Sequence, residues 1–254
     1  MNINTDALFF ISDLHLDPRQ PDITQAFHDL LEKIKEHPAA TKALFILGDL
    51  FEAWIGDDAI DVSLWLQTTL KPLKELGIKT YFIHGNRDFL INKGFEDYCD
   101  IENLEEVTQV NYKGFNLLLC HGDHLCTQDV EYMKFRTMVR NKEWQAHLLS
   151  KTIEERTAIA QQIRDQSKEA NSIKEMDILD VDPLTLKAFM QQHQADALIH
   201  GHTHRPAVHQ DIYPRIVLSD WHPNASWLEL HVQDEKLIGK LVTQDWSEDI
   251  LIEK

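Results

Sequence analysis

The feature that most constrains this chain is a recurring unit. A short apolar run is followed at once by a loop of small and metal-ligating residues, and several of these units are separated by stretches with helical spacing. Ala7–Ser12 (ALFFIS), Ala43–Leu47 (ALFIL) and Thr80–His84 read as buried strands. Between them, residues 22–37 place Phe27, Leu30, Leu31 and Ile34 on one helical face, and residues 61–76 read as a helix ended by Gly77. Strands alternating with helices in this order predict a layered α/β fold. Further on, residues 107–112 and 115–120 flank Lys113-Gly114, a hairpin signal. Residues 128–176 carry no strand signal and are helical and polar. Asp182-Pro183 then starts a helix to about Gln192, residues 197–200 form another strand, and β-like runs cover 215–218, 226–232 and 236–242. The expectation is one domain over 1–254, an α/β layered sandwich of mixed sheets, with a helical insertion at about 125–180.

Charge and composition narrow the function. A net charge of −17 argues against a nucleic-acid partner, since a polyanion would be repelled. The distribution is uneven: residues 131–175 hold nine Lys and Arg against seven Asp and Glu, a net +2 against −19 elsewhere. No stretch approaches the roughly 18 apolar residues of a membrane span. The first residues lack the basic and apolar regions of a signal peptide. The three cysteines, Cys99, Cys120 and Cys126, form no paired motif. Reduced thiols and a cytosolic protein are therefore expected.

The chemistry sits where the strands end. Asp13 and His15 follow the first strand, Asp49 the second, Asn86-Arg87 the third, His121 the hairpin, and His202 and His204 the late strand. Loops at the ends of strands converge on ligand sites in α/β folds. Mixed oxygen and imidazole donors suit Mn, Fe or Zn, and seven side chains exceed the needs of one ion, so two divalent ions sharing a carboxylate are expected. The i, i+2 spacing of Asp13/His15 and of His202/His204 would put each pair on one side of an extended segment. Each motif alone is as common in ordinary turns. The ordered series, each member after an apolar run, is what carries the inference. His84, His124 and His200 are expected to pack, and Glu52, Asp88 and Asp123 to pack or orient ligands.

The series DxH, GDxxE, GN, HGD and GHxH resembles the calcineurin-like metallophosphoesterases over about residues 7–232. The resemblance implies a four-layer α/β/β/α sandwich and a dinuclear site. One metal would take Asp13, His15, Asp49 and His204, and the other Asp49, Asn86, His121 and His202, with manganese the first choice. Arg87 departs from the family, which usually has histidine there as general acid. Within the family, GNRDF, CHGDHLCTQD and HGHTHRP resemble the branch that hydrolyses UDP-2,3-diacylglucosamine to lipid X and UMP. That branch implies substrate contacts at Asn86, Arg87, Asp129, Ser167, Asn171, Lys174 and His202. It also implies a helical cap over the acyl chains, a monomer, and a peripheral position on the cytoplasmic face of the inner membrane. A soluble nucleotide-sugar or ADP-ribose pyrophosphatase of the same fold is the alternative.

Overall fold

The computed structural model describes residues 1–172, 178, 180–210, 212–222 and 224–253, with the side chains of 168 and 170–172 left aside. In chain order the strands are β1 (Asn2–Ile3), β2 (Ala7–Ile11), β3 (Lys42–Ile46), β4 (Lys79–Phe82), β5 (Glu102–Asn103), β6 (Val107–Tyr112), β7 (Phe115–Cys120), β8 (Ala197–His200), β9 (Ala207–His209), β10 (Arg215–Val217), β11 (Trp227–Gln233), β12 (Lys236–Val242) and β13 (Ser247–Ile252). The helices are α1 (Pro21–Glu36), α2 (Ala59–Val62), α3 (Leu64–Lys74), α4 (Lys93–Cys99), α5 (Val130–Val139), α6 (Lys142–Leu149), α7 (Ile153–Ser172) and α8 (Pro183–His193). None of them is long and apolar enough to cross a membrane.

The period-2 alternation of the strands builds the layers. In β2, Leu8 and Phe10 face the other sheet, while Ala7, Phe9 and Ile11 join the helix-side core with Phe27 and Leu31 of α1. In β7, Leu117 and Leu119 meet that same inter-sheet core, whereas Leu118 and Cys120 pack toward Met190 of α8. Helices, a seven-stranded sheet, a six-stranded sheet and α8 thus form the four-layer α/β/β/α sandwich. The seven-stranded sheet runs β13-β12-β11-β2-β3-β4-β5, and the six-stranded sheet β1-β6-β7-β8-β10-β9. Strands β2, β3 and β4 are mutually parallel, as are β7 and β8. Their carboxyl ends therefore deliver all the candidate loops to one end of the molecule.

Several boundaries differ from the expectations. The single helix expected over 61–76 is two, because Ser63 is extended (φ −109°, ψ 105°) and its Oγ accepts from Leu66 N at 3.2 Å, capping α3 afresh. Helix α4 lacks its own cap. The Asp57 carboxylate accepts from Asn92 N and Phe95 N instead, so its start is fixed by a residue 38 positions away. The hairpin turn is as expected, with Lys113 (φ 49°) and Gly114 (φ 94°) both left-handed. Asp182 caps α8 by accepting from Leu184 N and Thr185 N. Cys99, Cys120 and Cys126 are buried and form no disulfide among the described residues.

Candidate functional site

Five of the seven candidate metal ligands occupy the left-handed backbone region: Asp13 (φ 56°), His15 (φ 53°), Asp49 (φ 53°), His202 (φ 68°) and His204 (φ 53°). This corrects the expectation that DxH and HxH run extended. A non-glycine residue pays of order 1 kcal/mol or more for this conformation, and such strain collects at functional sites. The loops brace each other against it: Asp13 N donates to Gly48 O (3.1 Å), His15 N to Asp49 O (3.0 Å) and Gly201 N to His121 O (2.9 Å). Two glycines make the close approach possible. A Cβ on Gly85 would run into Asp49 Oδ1, and one on Gly201 into Asp13 Oδ2.

The side chains converge in two groups. In the first, His15 Nε2 and His204 Nε2 lie 3.3 Å apart, with Asp13 Oδ1 at 3.4 Å from His204 Nε2 and 4.0 Å from His15 Nε2. In the second, Asn86 Oδ1 lies 3.0 Å from His121 Nε2 and 2.9 Å from His202 Nδ1. Asp49 touches both groups, with Oδ1 at 3.7 Å from His121 Nε2 and Oδ2 at 3.9 Å from His15 Nδ1. Asp13 also falls within reach of Asp49 and His121.

These residues fit divalent ions. Donors at right angles around an ion with bonds of about 2.1 Å are separated by about 3 Å. His121 spends Nδ1–H on Leu47 O at 2.8 Å, so in the neutral ring Nε2 turns a lone pair toward the Asn86 carbonyl oxygen. Asp13 Oδ2 is occupied by the Ser12 hydroxyl (2.6 Å) and His202 N (2.9 Å), which aims Oδ1 at the histidines. With these rings neutral, lone pairs would face one another across such gaps, an arrangement that a bound cation would satisfy.

The electrostatics divide the four histidines: burial opposes it, but the Asp49 and Asp13 charges raise His121, and the Asp13 hydrogen bond and charge raise His204. Burial pushes His15 well below its ordinary range, helped by the Arg87 charge, and pushes His202 down to about 3, helped by His121. Both rings are held in the neutral, ligating form. Burial would raise the Asp13 carboxyl, but its hydrogen bond to His204 and the neighbouring imidazoles hold it well below the usual range. Burial raises Asp49. Asp88, which accepts from Gly85 N (2.7 Å) and Leu50 N (2.8 Å), is pushed up to about 7 by burial and then by the Asp49 charge.

A family model described as calcineurin-like phosphoesterase matches residues 7–206, the segment that contains all seven candidate ligands. The chain belongs to that family. It is 46% identical over 231 residues to a UDP-2,3-diacylglucosamine hydrolase of Chromohalobacter salexigens, covering 89% of this chain and 92% of that protein. Proteins of the same name from Cellvibrio japonicus and Shigella dysenteriae serotype 1 are 45% and 42% identical, covering 84% and 91% of this chain and 90% and 98% of theirs. Among solved structures, Vps29 of Cryptosporidium parvum superposes with a TM-score of 0.51 at 14% identity, covering 97% of this chain and 96% of that one. Vps29 of Entamoeba histolytica complexed with zinc gives 0.50 at 13%, covering 97% and 98%. These two likenesses concern the fold alone.

Beside the loops that carry the candidate ligands, the protein has a cleft of about 230 Å³ between the core and α5–α7. Asn86, Arg87 and Ser167 line it together with Trp54, Phe89, Phe135, Trp144, Leu148, Ile159 and Ile163, so its wall is largely apolar. Helix α5 is fixed through Asp123 Oδ2, which accepts from Tyr132 OH (2.7 Å) and Arg136 Nε (2.9 Å). Asp129 caps α5, its Oδ1 accepting from Tyr132 N at 3.1 Å. Lys174 and the side chain of Asn171 lie outside the described residues. His84, His124 and His200 pack as expected: His84 Nε2–H donates to Ile91 O (2.7 Å), His200 Nδ1–H to Gly201 O (2.8 Å), and His124 lies edge-on to Phe189.

Arg164 is the residue the sequence does not reveal. From α7 its Nε donates to Glu52 Oε1 at 3.0 Å, while Arg87 binds Glu52 Oε2 and places Nε 3.3 Å from Asp49 Oδ2. Nothing local distinguishes Arg164 from the other charged residues of a polar helix.

Proposed function

We propose that this chain hydrolyses the pyrophosphate bond of UDP-2,3-diacylglucosamine, giving 2,3-diacylglucosamine 1-phosphate and UMP. The observation that carries this reading is the apolar cleft whose wall includes Asn86 and Arg87, residues of a metal loop. A phosphoesterase acting on soluble nucleotides has no use for such a wall beside its reaction centre, whereas two acyl chains do. The names of the relatives at 41–46% identity support the same assignment.

Asp13, His15, Asp49 and His204 would hold one divalent ion, and Asp49, Asn86, His121 and His202 the second, with Mn2+ the first choice for this mixed set of three oxygen and four imidazole donors. When bound, such ions lower the pKa of water and offset phosphoryl charge. Water attacks the phosphorus on the uridine side, and the bridging oxygen leaves with the lipid phosphate. That leaving group needs little help from a general acid, because a phosphate monoester with a second pKa near about 6 departs as an anion. Arg87, standing where the family usually has histidine, accordingly grips phosphate oxygens through charge-assisted hydrogen bonds. Ser167, Asn171, Lys174, Asp129 and His202 are assigned to the sugar and phosphate. Helices α5–α7 act as a cap, and the protein works as a monomer on the cytoplasmic surface of the membrane that supplies its substrate.

Hydrolysis in heavy-oxygen water tests the direction of attack. The label is expected in UMP, and label in the lipid phosphate would reverse the placement of the substrate.

A further inference from the structure

One carboxylate joins the two sides of the cleft. Glu52 Oε2 binds Arg87 of the core, Glu52 Oε1 accepts from Arg164 Nε of α7 at 3.0 Å, and Oε2 lies 3.9 Å from His15 Nδ1. The three side chains are 17–27% exposed, and all line the cleft. Two guanidiniums this close repel each other in a partly desolvated site. The Arg164 guanidinium is accordingly held below its ordinary pKa by burial and then by Arg87. Glu52 is what keeps them together.

The second described anchor of α7 is of another kind. Arg156 donates to Ile55 O (2.6 Å) and to Asp58 Oδ1 (2.8 Å), eight residues and about 12 Å along the helix from Arg164. Asp58 touches neither Arg87 nor any metal loop in the described contacts. Among the described residues, arginines thus tie helix α7 to the core at two points, once through Asp58, away from the candidate metal ligands, and once at the arginine beside the reaction centre.

We infer that Glu52 is a positioning residue that couples cap to chemistry. It stations Arg87 beside Asp49 and seats the Arg164 turn of α7 in the same act, so that Arg87 is aimed only when the cap is in place. This rests on the proposed pyrophosphatase reading for the identity of the substrate, but the coupling itself does not.

The test compares Glu52→Gln, Arg164→Gln, the double variant and Asp58→Ala. Kinetics on UDP-2,3-diacylglucosamine and hydrogen exchange of α7 amides are both read. Asp58→Ala loosens α7 without releasing Arg87, so it is expected to raise KM with kcat within about twofold. Glu52→Gln is expected to raise KM and also lower kcat at least tenfold. In exchange, Glu52→Gln and Arg164→Gln should expose the same α7 amides to the same extent, and the double variant should add nothing, as expected of residues acting through one contact. A Glu52→Gln enzyme that matches Asp58→Ala in kinetics reduces Glu52 to a structural tie. Wild-type exchange in Glu52→Gln, or additive exposure in the double variant, overturns the coupling. If the wild-type protein fails to cleave the lipid substrate, the function proposed above is wrong, and the exchange comparison still decides whether Glu52 joins cap to core.

Discussion

His15 and His204, 189 residues apart, point their Nε2 atoms at each other across 3.3 Å. Two imidazoles can face in this way through a single shared proton or through a cation that both ligate. Asp13 Oδ1, 3.4 Å from His204 Nε2, would be the anionic third donor to such a cation. Titration of the chelated protein with Mn2+ in a calorimeter is expected to show two ions per chain. Asp49→Ala should be the most damaging ligand change, because the two Asp49 oxygens reach toward both groups. Its loss of kcat should exceed the roughly 10–100-fold typical of residues that only support ligands. One ion per chain in the wild type would end the dinuclear reading.

Gly85 tests the same centre without removing a ligand. In Gly85→Ala the new methyl would strike Asp49 Oδ1 and Asp49 N, so Mn2+ affinity should fall at least tenfold while circular dichroism shows the fold retained. Gly77→Ala is the control. Gly77 also has positive φ (72°) but nothing lies within 4 Å of its added Cβ, so that variant should lose roughly 1 kcal/mol of stability and no metal affinity.

The pair Arg156–Asp58 makes the seating of α7 sensitive to acid. Its hydrogen bond to Arg156 holds the Asp58 carboxyl below the ordinary range. A depressed folded-state pKa stabilises above the unfolded value, about 3.9, and that contribution is lost as pH falls through the folded value. Exchange of α7 amides, corrected for intrinsic rates, should therefore be flat from pH 7 to 5 and rise below about 4. Asp58→Ala at pH 7 should already show the faster exchange. An α7 protected equally at pH 3 and pH 7 would mean the pair does not hold the helix.

The cleft wall should read acyl-chain length. Burying one methylene is worth about 0.8 kcal/mol, so shortening both chains by four carbons could cost about 6 kcal/mol at most, less whatever the detergent retains. Even a third of that is more than tenfold in kcat/KM. Ile159→Glu and Phe135→Ala, changes in the wall, should raise KM for long-chain substrate and flatten the dependence on length. Arg87→Ala should weaken long- and short-chain substrates alike.

The strands and the order of the ligand loops were legible because short continuous apolar runs and the residues that follow them are local properties of the chain. Leu8 and Phe10 against Phe9 and Ile11, and Lys113-Gly114 between two such runs, carry their structure on their face. What was not legible depends on partners far along the chain. Helix α4 starts where Asp57 accepts its amides, and β13, given no assignment from the sequence, is a strand through its pairing with β12. The left-handed turns at Asp13, His15, His202 and His204 run against residue propensity and are held by contacts between loops, so spacing alone suggested an extended segment instead. Arg164 shows the same limit: its meaning lies in Glu52, 112 positions earlier.

On the proposed function, the candidate metal loops and the apolar cleft act together on a lipid pyrophosphate. The most direct measurement is kcat/KM for UDP-2,3-diacylglucosamine against UDP-N-acetylglucosamine in the same detergent and with the same Mn2+. The acylated substrate is expected to be favoured by well over tenfold, and the preference to shrink in Ile159→Glu. Equal kcat/KM for the two would contradict it and leave a general nucleotide-sugar pyrophosphatase.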